Sequence, residues 1–180
     1  MPLIVIAGAP GTGKSTLLAE LACLGHHTVS DTAREIIRER KAAGLPPRPT
    51  PLEFSVEILK RDSAKYLEAL RMDGLVFFER CALEAQAMVR AAVAGENLPD
   101  ELLATDLVFH EQVFVLPPWK EIYVSDTERD HSFEHAIWVH KEVMNLYSTL
   151  GYRILEVPSY PVADRAKFVL QTLTSAAGNG

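Results

Sequence analysis

The sequence predicts an α/β fold: a three-layer α/β/α sandwich around a five-stranded parallel sheet, in one domain over residues 1–180. Three observations carry that expectation. Short apolar runs without polar alternation recur along the chain and alternate with segments of helical period, the pattern of parallel strands buried on both faces and joined by right-handed crossovers. The first run, Leu3-Ile4-Val5-Ile6-Ala7, feeds a glycine-rich loop that opens directly into a helical pattern. Finally, 180 residues, 48% of them hydrophobic and 23% charged, suffice for one domain with a full core.

Taken in order, the first helix carries Thr16-Leu17-Leu18-Ala19-Glu20-Leu21, and Gly25 suits the residue that closes it. Cys23 falls in its apolar pattern and is expected in the core. A short strand over 27–30 leads to Asp31 and a second helix over 32–40. Residues 44–51, with four prolines, end regular structure and read as a loop within the domain. A long amphipathic helix follows over 52–72, with Phe54, Ile58, Leu59, Tyr66, Leu67 and Leu70 on its inner face. Asp73-Gly74 turns into a strand over 75–78, which delivers Glu79-Arg80-Cys81 at its C-terminal end before a helix from 83 to about 94. Residues 102–110 carry no decisive pattern. A fourth strand over 113–116 is stopped by Pro117-Pro118. The polar segment 126–132 precedes a helix over 133–150 closed by Gly151, then a last strand over 152–157. The final helix begins near Val162, with 176–180 expected to fray.

The net charge of −6 lacks the basic face that a nonspecific nucleic-acid binder needs. Cys23 and Cys81 make no disulfide framework or zinc spacing. No secretory signal pattern and no bilayer-length apolar run is read, so a cytoplasmic protein, monomer or homodimer, is expected.

The glycine-rich loop is Gly8-Ala9-Pro10-Gly11-Thr12-Gly13-Lys14-Ser15, of the form G-x-x-x-x-G-K-[S/T], in the order strand, loop, helix. Its amides and the following helix N-terminus suit phosphate oxygens. Gly8, Ala9, Pro10, Gly11, Thr12, Gly13, Lys14, Ser15 and Thr16 are thus the expected ATP ligands, Lys14 reaching the β- and γ-phosphates and Ser15 holding Mg²⁺.

Ligands of a parallel sheet sit outside the carboxyl ends of its strands, which sorts the charged residues. Asp31 follows the second strand, with Arg34 one turn on; Glu79 and Arg80 follow the third; Arg129 stands between the fourth strand and the next helix. A carboxylate can orient an acceptor hydroxyl and take its proton, and arginines can spread the charge of a transferring phosphoryl group. Asp31 also suits a helix N-cap, and Arg34 and Arg129 also read as solvated charges. His131 and His135 share a helical spacing without a third metal ligand, and Trp119 reads as a packing residue.

With these residues placed, the chain resembles P-loop kinases. Phe77-Phe78-Glu79-Arg80-Cys81 is similar to the F-F-E-R-S segment of deoxynucleoside kinases. Nearly the whole chain also resembles the AAA-type ATPase family that includes the ribosylnicotinamide kinase domain. The match runs through Asp31-Thr32-Ala33-Arg34-Glu35-Ile36, through the stretch from Phe114 past Pro117-Pro118-Trp119 to Asp126 and Arg129, and through Gly151-Tyr152 to Glu156-Val157-Pro158. It departs at Glu79-Arg80-Cys81, where members often have Asp-Arg-Gly, and at a lid whose Arg129 stands between Glu128 and Asp130.

Residues and resemblance together imply a kinase using ATP and Mg²⁺ on a hydroxyl of a small nucleoside- or riboside-like acceptor. Lys14, Asp31, Arg80 and Arg129 would be catalytic, Ser15 and Glu79 would serve the metal, and Asp31, Arg34, Glu79 and Arg80 would meet the acceptor. The alternative is a regulatory ATPase or switch acting through a partner, which the sparse lid arginines suggest.

Overall fold

A computed structural model describes residues 2–93, 107–122 and 132–177, with side chains to Ser175. The described chain runs β1 (Leu3–Gly8), α1 (Lys14–Cys23), β2 (His27–Val29), α2 (Thr32–Ala42), α3 (Pro51–Ala69), β3 (Val76–Glu79) and α4 (Ala82–Ala92). It continues with β4 (Gln112–Leu116), a 3₁₀ turn at Lys120–Ile122, α5 (Phe133–Thr149), β5 (Arg153–Glu156) and α6 (Val162–Ala177). The strands form one parallel sheet in the order β2-β3-β1-β4-β5.

Strand period sorts β1 between two cores. Leu3, Val5 and Ala7 join Val76, Phe78, Val113, Val115, Tyr66, Val143 and Tyr147 on one face. Ile4 and Ile6 join Leu17, Leu18, Leu21, Phe77, Phe114, Val169 and Leu173 on the other. Each such fully buried aliphatic side chain contributes about 1.5–3 kcal/mol of transfer free energy, which fixes the register against slippage. A third cluster, with Ile37, Phe54, Ile58, Leu59, Ala85 and Val89, locks α2, α3 and α4 together.

The expected sheet is present, and several expectations within it are corrected. Pro51 is the first residue of α3 rather than the last of a loop. The stretch Thr50-Pro51-Leu52-Glu53 is a helix start: Thr50 caps the helix, Glu53 bonds back to Thr50, and proline loses no bond in a first turn. α3 also ends at Ala69, and Leu67 (60% exposed) and Leu70 (49% exposed) face solvent. The inner stripe runs Phe54, Ile58, Asp62, Tyr66, Ala69, so a carboxylate stands on the buried face between Ile58 and Tyr66. Cys23 is exposed, because α1 turns Leu17, Leu18 and Leu21 inward and its last residue away. α6 continues to Ala177, two residues into the stretch expected to fray, and of the undecided 102–110 segment, 107–110 is irregular with Phe109 in the core.

Candidate functional site

The ends of β1 and β3 set the site. Gly8, at φ 134°, closes β1, and a Cβ on it would lie 2.6 Å from the Leu116 carbonyl oxygen of β4, so the loop leaves the sheet where only glycine fits. The Thr12 hydroxyl donates to the Ala9 carbonyl at 3.0 Å and shapes the loop from within. Lys14 Nζ donates to the carbonyls of Gly8 (2.9 Å) and Ala9 (2.8 Å). Burial, with Arg80 close by, lowers its pKa to about 8.

Ser15, in the first turn of α1, donates its hydroxyl to Glu79 Oε1 at 2.9 Å and accepts from Arg34 Nη1 at 3.2 Å. Glu79 ends β3 beside Ile6 of β1. Sheet pairing thus brings residues 64 positions apart into contact. Ser15 and Glu79 offer oxygen donors side by side, the hard ligands that suit Mg²⁺.

Arg80 follows with φ 65°, a left-handed backbone that costs about 1–3 kcal/mol in a residue with a side chain. The turn aims its guanidinium back at the loop. Its amide donates to Ile6 O, Nη1 to Glu84 Oε2 at 2.7 Å and Nη2 to Gly8 O at 3.3 Å, while Nε stands 3.7 Å from Asp31 Oδ2. Burial works against the charge, but Glu84, Asp31 and Glu79 outweigh it and hold the proton more firmly than usual. Glu84 is fixed in turn by the Tyr147 hydroxyl, which donates to Oε1 at 3.0 Å and lies 3.4 Å from Cys81 Sγ. Burial pushes the Cys81 thiol up to about 12, so it stays protonated.

Asp31 does two things. Oδ1 accepts the Ala33 amide and caps α2, while Oδ2 faces Arg80. The helix-cap reading of Asp31 thus holds, and its second oxygen is left on the Arg80 side. Arg34 is no solvated charge, since it reaches Ser15. Arg129 and His131 lie outside the described residues. His135 lines the cavity, and among the described residues no cluster of three or more His, Cys, Asp or Glu could hold a metal.

These groups share one cavity of about 1080 Å³, which runs from Gly11, Lys14 and Ser15 past Asp31, Arg34, Glu79 and Arg80 to the facing sides of α4 and α5. Its far walls carry Ala85, Met88 and Ala91 on α4 and, on α5, Trp138, Val139 and Leu146 interspersed with polar Glu142 and Asn145. Asp62, Glu84 and Arg165 are among the charged residues of the site that escape the sequence reading. Asp62 lies in the cavity, its carboxylate accepting from Thr32, and burial raises its pKa to about 6; the four-residue step Ile58–Asp62–Tyr66 is the signal that places it inside. Glu84 is legible as an i, i+4 partner of Arg80. Arg165 has no local signal, because only the fold brings α6 to the loop, where Nη1 lies 3.5 Å from Thr12 O.

Solved structures with this fold include a deoxyadenosine kinase from M. mycoides with products dCMP and a flexible dCDP bound: 18% identity, 96% of this chain and 99% of that one covered, TM-score 0.69. A shikimate kinase from Acinetobacter baumannii in complex with shikimate matches at 20% identity, 98% and 94% coverage and TM-score 0.55. A NadR protein in complex with NR matches at 17% identity and TM-score 0.71, with 99% of this chain lying on 52% of that one. No curated protein matches. Residues 3–165, from the first strand to the first turn of α6, match the family described as AAA domain, and with that match spanning loop, acid-bearing strand ends and closing helix, the chain belongs to that family.

Proposed function

We propose that the chain is an ATP- and Mg²⁺-dependent kinase that transfers the γ-phosphoryl group to a hydroxyl of a small nucleoside- or riboside-like acceptor. One observation carries the reading: a single cavity joins the phosphate loop to a carboxylate, Asp31, and two arginines, Arg34 and Arg80. A nucleotide switch has no use for so large a space beside its phosphates, whereas a kinase must seat a second substrate there. The deoxyadenosine kinase and the shikimate kinase of the same fold support the reaction class.

The loop amides and Lys14 hold the donor phosphates. Ser15 and Glu79 are the residues that would hold Mg²⁺, which neutralises charge on the β- and γ-oxygens. Asp31 Oδ2, free of the helix cap, accepts the acceptor's hydroxyl proton as the new O–P bond forms and the bond to ADP breaks. Arg80 and Arg34 stabilise the charge spread over the transferring group. Arg129 keeps its sequence-based assignment as a further cation for that group.

The test is a panel of nucleosides and ribosides incubated with γ-labelled ATP. A labelled acceptor is expected, and Asp31→Asn is expected to slow its formation by about 10²–10⁴-fold with ATP affinity kept, since asparagine caps α2 as well as aspartate does. Unchanged turnover in that variant removes the base from Asp31. ATP hydrolysis with no labelled acceptor from any of the panel overturns the kinase reading in favour of a switch.

A further inference from the structure

Arg165 carries a positive charge where the fold gives it no return. It lies in the first turn of α6, the helix end that favours anions and opposes cations. It is only 5% exposed, and burial alone accounts for the lowering of its proton affinity, so among the described residues no acid offsets it. Its Nε is buried without a hydrogen-bond partner. What it does touch is the phosphate loop and an aromatic face. Nη1 stands 3.5 Å from the Thr12 carbonyl oxygen, and a Cβ on Gly13 would meet Nη1 at 2.8 Å. The guanidinium carbon lies 5.8 Å from the centre of the Trp119 ring, within cation–π range. Arg165 also lines the cavity beside Gly13 and Ile122.

A buried, unpaired guanidinium costs stability unless an anion joins it. A mere packing strut on Trp119 would be served better by methionine or leucine, with no charge to desolvate. We infer that Arg165 is an anion ligand of the donor end of the site, taking phosphate oxygens of the nucleoside di- or triphosphate cradled by Gly8–Ser15, while Trp119 and the Thr12 carbonyl hold it in position. It then supplies a cation at Thr12 and Gly13, in addition to Arg34 at Ser15 and Arg80 at Gly8, in a chain whose Arg129 is flanked by two acids. Gly13 is constrained twice, by φ 85° and by the guanidinium that fills the place of a side chain.

This inference rests on the loop as a nucleotide site but not on any acceptor. Its test is equilibrium binding of AMP, ADP and ATP, with Mg²⁺, to the full chain and to Arg165→Met, beside thermal melts without nucleotide. Losing a charged hydrogen-bond donor is expected to weaken ADP and ATP by about 10- to 100-fold and AMP by clearly less. The nucleotide-free melting temperature is expected to hold or rise, because an uncompensated buried charge is gone. Arg165→Lys, which keeps the charge, is expected to recover part of the loss for ADP and ATP. Equal weakening of all three nucleotides, or none, overturns the inference and leaves Arg165 a strut. Should Arg165→Met not fold, the same comparison is read on Arg165→Lys and Arg165→Gln: a phosphate-dependent gap between them supports the role, and its absence removes it. Failure of the kinase reading looks different, since it leaves nucleotide binding intact and finds no phosphorylated acceptor.

Discussion

Lys14 shows at the scale of one residue how the site is tuned. Its ammonium is enclosed by the loop it serves, and burial, with Arg80 near, brings its pKa to about 8 rather than 10.5. The nucleotide's phosphates favour the charged form, so binding above pH 8 must take up a proton. ATP affinity is therefore expected to be level below pH 8 and to fall above it, by at most about tenfold per pH unit for one coupled proton. Titrations from pH 6.5 to 9.5 check this, and Lys14→Met is expected to bind weakly and without that slope. Single-residue identities on the loop were legible in the sequence because every one of them is fixed by local spacing. Arg165 was not, since its partners Thr12 and Trp119 are 153 and 46 positions away and meet it only when the sheet is assembled.

Among the elements, α3 is the most informative. Its proline-rich approach reads as a loop because prolines usually end structure, yet Thr50 and Glu53 form a closed capping box around Pro51. Its inner stripe contains Asp62, whose folded pKa of about 6 exceeds the ordinary 3.8 because burial penalises the carboxylate. The folded state therefore holds this proton more tightly than the unfolded chain does. Above pH 6 the buried charge costs stability, and the cost disappears as pH falls from 6 toward 4. Asp62→Asn is thus expected to be more stable than the parent at pH 8, by up to about 3 kcal/mol, with the difference vanishing near pH 4. Chemical denaturation at the two pH values reads this directly. An unchanged difference across that range would mean that Asp62 is not the titrating group. α4 and α5 teach the complementary lesson. Their helical period was clear, but which of their faces looks into a cavity depends on how far apart they stand, and that is a tertiary fact.

Across the whole molecule, β1 divides one core into two, with Val5 turned to α3 and α5 and Ile6 turned to α1 and α6. Because both cores share the central strand, they are expected to melt together. Ile6→Ala is expected to cost about 2–5 kcal/mol and to preserve a single thermal transition followed by calorimetry and circular dichroism. Two separated transitions would show that the faces unfold independently. The architecture itself was legible because uninterrupted apolar strands leave parallel pairing with two covered faces as the packing solution. The strand order was not, because nothing local says that β3, rather than β2, lies against β1.

That order has a practical corollary. The phosphate-loop end of the chamber is built from the rims of β1 and β3, whereas its far walls include Ala85, Met88 and Ala91 on α4 and Trp138, Val139 and Leu146 on α5. Wall and floor are separate parts of the chain. The wall can be recut one side chain at a time to admit a bulkier or slimmer guest, while the machinery beneath keeps its geometry, which makes this scaffold a natural starting point for changing what is modified without relearning how.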